Sequence, residues 1–94
     1  MIPTELIRRN PRRLKYAIAY FLACLDPEPV AELRRRLAQE LGISRNTVSV
    51  AINAKLDDEF SLSGDQVAVL MRLLGCYDVT LIQLNLPVSQ PLNQ

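Results

Sequence analysis

Leu37-Ala38-Gln39-Glu40-Leu41-Gly42-Ile43-Ser44-Arg45-Asn46-Thr47-Val48-Ser49 is the stretch whose reading decides how this chain is built. Leu37 and Leu41 stand one helical turn apart and continue an apolar stripe that starts at Val30 and Leu33. Gly42 follows where a helix C-terminus takes a residue tolerant of positive φ. Ile43 is expected to tuck into the core, and Ser44 is a good N-cap. A second helix then runs from Arg45 to about Asn53 (residues 45–54), with Val48, Ala51 and Ile52 pointing inward. Small Ala38 lets the two helices approach closely. The stretch therefore predicts two helices meeting at a sharp angle across a turn of about three residues. The outer face of the second one carries Arg45, Asn46, Ser49, Val50 and Asn53. Those are short polar side chains with one arginine, where a solvated helix would normally carry long Glu/Lys pairs.

Working outward, the helix before Gly42 begins near Asp26-Pro27-Glu28-Pro29, where Asp26 is a plausible cap and Pro27 a plausible first residue. Upstream, Leu14, Ala17, Ile18, Phe21, Leu22 and Leu25 recur at spacings of three and four, which predicts a helix from Arg12 to Leu25. Residues 1–11 read as an N-terminal arm broken by Pro3 and Pro11. Downstream, Lys55–Leu62 is a loop with an acidic cluster, and Ser63 and Gln66 have capping-box spacing. A further helix follows with Val67, Leu70, Met71 and Leu74 as its stripe, and Gly75 ends it. Tyr77–Leu86 is β-prone in composition but alternates imperfectly, so it reads either as a strand or as a short helix capped by Asp78. Pro87 and Pro91 open a loose tail. The fold class is thus mainly α: a four- to five-helix unit over residues 12–76, with a possible C-terminal β-strand within 77–94.

The bulk properties set limits. A length of 94 residues is one domain's worth, and 49% hydrophobic residues with only 5% aromatic ones give an aliphatic core. No apolar run approaches the roughly 18 residues of a membrane span, and no secretory signal is expected. A cytoplasmic setting is expected. Cys24 and Cys76 are expected to be buried thiols acting as small hydrophobes. The chain has no histidine, which removes the commonest general base and the commonest metal ligand. With no nucleophile motif, phosphate loop or paired acids, no enzyme, cofactor, metal or small-molecule ligand is expected. Charge is polarised. Residues 1–55 hold ten basic and five acidic residues, and residues 56–94 hold one basic and five acidic. A basic half of this kind can face a polyanion.

The stretch around Gly42 resembles the helix-turn-helix of the lambda repressor and Cro family, also described as Xre-like regulators. Thr47-Val48-Ser49-Val50-Ala51-Ile52-Asn53-Ala54-Lys55 has the length of that family's recognition helix and its trailing Asn-Gly-Lys, with Ala54 in the place of the glycine. Leu70-Met71-Arg72-Leu73-Leu74-Gly75-Cys76 is similar to the family's fourth helix, and the likeness spans about residues 12–84. The resemblance implies a sequence-specific regulator of double-stranded DNA whose third helix reads the major groove. Arg45 is then the candidate for a bidentate guanine contact. Asn46 and Ser49 would meet other base edges, and Val50 a thymine methyl unless it is an ordinary surface valine. Arg34, Arg35, Ser44, Thr47, Asn53 and Lys55 suit phosphate contacts, although the arginine triplet also reads as a solvated face. Arg8, Arg9, Arg12 and Arg13 would add non-specific affinity, enter a minor groove, or sit in a disordered arm.

One such unit covers a half-site, so a homodimer is expected. Val79, Leu81, Ile82, Leu84 and Leu86 either form the contact between copies or close the core of a single copy. The alternative function is a protein-interaction module of the same fold, such as an antitoxin-type partner.

Overall fold

Two prolines, Pro27 and Pro29, sit in the first turn of the longest helix, where a missing N–H costs nothing because those donors have no intrahelical acceptor. The first intrahelical bond is the Val30 N–H to the Asp26 carbonyl, at 3.1 Å. The computed structural model describes residues 2–84. Among them the helices are α1 (Thr4–Arg9), α2 (Ile18–Leu22), α3 (Pro27–Leu41), α4 (Arg45–Asn53) and α5 (Gly64–Leu74), followed by a 3₁₀ turn at Val79–Leu81. The result is a small, mainly helical domain. No helix among the described residues is long and apolar enough to cross a membrane.

Three elements stand where the local signals put them. Helix α3 ends at Gly42, whose φ of 68° is left-handed. Ser44 caps α4 by accepting the Thr47 N–H. Helix α5 opens on a complete capping box between Ser63 and Gln66. The Gln66 side-chain amide also donates to the Leu41 carbonyl (3.1 Å), tying α5 to the end of α3.

The expected helix from Arg12 to Leu25 is corrected to the five residues of α2. Arg13 has a φ of 53°, which no α-helix accommodates. Beyond it the chain bends at Lys15 and pairs with two distant segments. The Lys15 N–H donates to the Ala54 carbonyl (2.9 Å), and the Leu84 N–H donates to the Lys15 carbonyl (2.8 Å). Isolated antiparallel bridges join Leu14 to Lys55 and Tyr16 to Gln83. This strip, Leu14 to Ala17, is buried throughout, the aliphatic part and ammonium of Lys15 included. The Lys15 Nζ donates to the carbonyls of Asp58 and of Phe60 (2.6 Å for Phe60), so the buried charge is hydrogen-bonded. Tyr16 packs edge-on against Phe60 and its hydroxyl accepts the Leu62 N–H at 2.7 Å.

Both ends of the chain depart from expectation as well. The segment read as an arm forms α1, and its Ile7 is buried in the common core. Ile82, expected at a contact between copies, is fully buried in that same core, with Leu81 and Leu84 packed against it. Of the proposed contact residues only Val79 is exposed, and Leu86 lies outside the described residues, as do Asn85 and the tail from Pro87. Within Val79–Leu84 the chain follows the short-helix alternative, a 3₁₀ turn at Val79–Leu81 that Asp78 caps through Thr80, and Ile82 is no free surface. The N–H and hydroxyl of Thr80 both donate to the Asp78 carboxylate, which holds that carboxyl below its ordinary range. Cys76 is buried as expected, but Cys24 is exposed just past α2.

If Ile82 is a core residue of one copy, Ile82→Ala lowers stability by about 2–5 kcal/mol. The loss, read from the urea midpoint, stays the same across protein concentrations. A loss that grows on dilution would return Ile82 to an interface.

Candidate functional site

Helix α4 is held on one face and open on the other. Val48, Ala51 and Ile52 are buried against the core, while Arg45, Asn46, Val50 and Asn53 are exposed. Val50 is 49% exposed.

The turn that delivers α4 has its own physical logic. An added Cβ at Gly42 would meet nothing within 4 Å, so glycine is required by the left-handed backbone and not by space. The Gly42-Ile43-Ser44 corner then reverses the chain, and the Ile43 N–H donates back to the Ala38 carbonyl (3.0 Å). Ser44 Oγ accepts the Thr47 N–H (3.1 Å) and lies 2.9 Å from Thr47 Oγ1, so both hydroxyls are engaged in the cap. At the far end, Ala54 has a φ of −60° and a ψ of 132°. An extended residue here needs no positive φ, which is why alanine stands without strain where the resemblance has glycine.

The expected contact residues divide into engaged and open groups. Arg34 Nη2 donates to Ser49 Oγ at 2.7 Å, so the two satisfy each other across α3 and α4. Arg35 is bound to Glu32 (2.6 Å) and to Gln39 (3.2 Å). The Arg35 hydrogen bond is the largest influence on Glu32 and keeps its carboxyl below the usual range; the same bond raises Arg35. The positive charge of Arg35 is thus offset locally. Asn53 Nδ2 donates to the Ser49 carbonyl (2.9 Å), and its Oδ1 accepts from Arg12 Nη2 (3.1 Å). Lys55 Nζ donates to the Arg12 carbonyl (3.0 Å). Arg45, Asn46 and Val50 make no side-chain hydrogen bond or ion pair among the described residues.

Between α3 and the first turns of α4 runs a groove of about 940 Å³. Val30, Ala31 and Val48 line it together with Arg34, Arg45, Asn46 and Ser49, and Glu28 and Glu32 contribute negative charge at the α3 side. Among the described residues no three His, Cys, Asp or Glu side chains converge to hold a metal. Two participants were not assigned to the α4 surface from sequence. Arg12 reaches Asn53 from 41 positions away, and Lys15 supports the loop after α4 from 43 and 45 positions away. No local spacing announces either contact.

Comparison with known proteins returned no matching family model, no matching curated protein and no matching solved structure.

Ser44→Ala removes the acceptor for the Thr47 N–H and costs about 1 kcal/mol of stability. Chemical denaturation checks the size, and faster amide exchange at Thr47 checks the location.

Proposed function

We propose that this chain is a sequence-specific double-stranded DNA-binding regulator, built on a lambda-repressor-like helix-turn-helix in which α4 enters the major groove. The observation that carries this is the asymmetry of α4. One face is committed to the core, while Arg45, Asn46 and Val50 on the other are exposed and unpartnered. Arg45 has the forked donor geometry that matches guanine O6 and N7. Asn46 offers an amide to a neighbouring base edge, and Val50 offers apolar surface to a thymine methyl. Ser49 reads bases only if Arg34 releases it, so the Arg34–Ser49 pair is better seen as bracing the groove-facing side of α4. Backbone N–H groups at the start of α4, with Ser44 and Thr47, face phosphate at the groove edge.

One α4 covers too little sequence for a specific operator, so the proposal includes two copies on half-sites about 34–36 Å apart. In this reading the chain acts by occupying its operator, as a cytoplasmic repressor of phage or bacterial type.

A second function is favoured by one feature. Leu25 is 41% exposed beside Cys24, Leu33, Leu73 and Leu74 around a small apolar pocket on the α2–α5 side. That face suits a protein-interaction module, such as an antitoxin-type partner, and needs no nucleic acid.

Selection of bound duplexes from a random pool separates the two. The DNA-binding function yields an enriched site with two-fold related halves, and Arg45→Ala then loses about 1–3 kcal/mol and its preference at one base position. No enrichment, or an Arg45→Ala variant that distinguishes the site as wild type does, would refute it.

A further inference from the structure

The turn from Asn10 to Leu14 is the strained part of the described chain. Asn10 (φ 42°) and Arg13 (φ 53°) are the two non-glycine residues with left-handed backbones among the described residues. Asparagine tolerates that region. Arginine does not, because its Cβ crowds the following carbonyl oxygen. Such a residue persists only when its surroundings over-determine it, and residues of this kind cluster at binding sites.

Here the surroundings do over-determine it. Asn10 Oδ1 accepts the Leu14 N–H (2.8 Å) and the Tyr20 hydroxyl (2.6 Å), and Asn10 Nδ2 donates to the Leu14 carbonyl (2.9 Å). The Arg12 N–H donates to Tyr20 Oη at 3.1 Å. The Arg13 N–H donates to the Asn10 carbonyl, and its own carbonyl accepts the Leu56 N–H, both at 2.9 Å. The turn is then fastened to the end of α4 by the Arg12–Asn53 and Lys55–Arg12 bonds.

Arg12 and Lys55 are thereby tied to one another and to the end of α4, and the same turn carries the exposed Arg13. Asp57, Asp58 and Glu59 follow closely in sequence, yet none of the three cations is in an ion pair among the described residues. One oxygen of the Asp58 carboxylate accepts the Lys55 backbone N–H instead (2.8 Å). The eight steps from Arg45 to Asn53 along α4 span about 12 Å at 1.5 Å per residue. That is about the width of a major groove. With α4 lying across the groove, the cations past its C-terminal end come within reach of the flanking backbone.

We infer that the Asn10–Leu14 turn is a preorganised phosphate clamp: Arg12, Arg13 and Lys55 bind the sugar-phosphate backbone of duplex DNA beside the groove that α4 enters. The clamp rests on the DNA-binding role of α4 proposed above. It replaces the loose basic arm expected from sequence with a rigid, strained site. Glycine at position 13 would relieve the left-handed backbone, so a turn that serves structure alone gains from that substitution, whereas a phosphate site loses by it.

The test uses the full chain, a labelled short duplex of arbitrary sequence, and salt titrations of wild type, Arg13→Gly, Arg13→Lys, Arg12→Gln and Arg45→Ala. Arg13→Gly is expected to melt a few degrees higher while its log affinity against log salt flattens by about one unit, the signature of one lost phosphate contact. Arg12→Gln, which keeps a donor for Asn53, flattens by the same amount, and Arg13→Lys keeps the wild-type slope. A wild-type slope in both Arg13→Gly and Arg12→Gln, or a lower melting temperature in Arg13→Gly, overturns the clamp. If Arg45→Ala loses selectivity on a selected site while the turn variants keep wild-type slopes, α4 stands and the clamp alone falls. If wild type shows no salt-dependent duplex binding, both fall together.

Discussion

Every polar group of Lys15 is used inside the protein, and the fold depends on that residue more than on any other. Its N–H is bound to Ala54, its carbonyl to Leu84, and its ammonium to the carbonyls of Asp58 and Phe60. Those four partners lie at the end of α4, in the loop after it and in the C-terminal segment. A buried ammonium is costly unless hydrogen-bonded, and a buried carbonyl left without a donor costs about 1–3 kcal/mol. Lys15 and its partners therefore require one another. Around this point the strip Leu14–Ala17, buried throughout, is joined to Lys55 and to Gln83 by isolated bridges, and α2 leads away from it.

The consequence for α4 is that both of its ends are fixed by different means. At the start, left-handed Gly42 and the Ser44 cap set the direction. At the finish, Ala54 is paired to the strip, and Asn53 is bound by Arg12. A helix of nine residues is too short to be stable on its own; its order comes from these two attachments and from Val48, Ala51 and Ile52 in the core. What is left over is Arg45, Asn46 and Val50, exposed on a helix held at both ends, and the proposed base-edge recognition demands such placement.

The parts that were legible in the sequence are those governed by neighbours in the chain. Gly42, Ser44, the Ser63–Gln66 box and Gly75 act within one helical turn, and they mark α3, α4 and α5 correctly. The missed parts are governed by distant partners. Tyr16-Ala17-Ile18-Ala19-Tyr20-Phe21-Leu22 is apolar at every position, so it satisfies the helical and the strand period alike. Lys15 in front of it counts in the sequence only as one basic residue among ten, because the acceptors of its ammonium are more than forty residues away. Helix α1 has a single buried residue, Ile7, and one residue makes no stripe. For Ile82 the sequence left two readings open, a contact between copies or the core of one copy, and its burial in the core matches the second. On α4 itself the exposed set was readable from the 3.6-residue period. That Ser49 is occupied by Arg34, and Arg35 by Glu32, was not, since both depend on rotamers at the α3 surface.

Backbone amide shifts of the full chain, followed by NMR as a selected duplex is added, test the role of α4 most directly. If α4 is the element that enters the groove, the largest shifts fall on residues 44–50, with a second set at Arg12, Arg13, Asn53 and Lys55, and the residues around Leu25, Leu73 and Leu74 stay still. Shifts confined to that apolar face, with residues 44–50 unmoved, would contradict it.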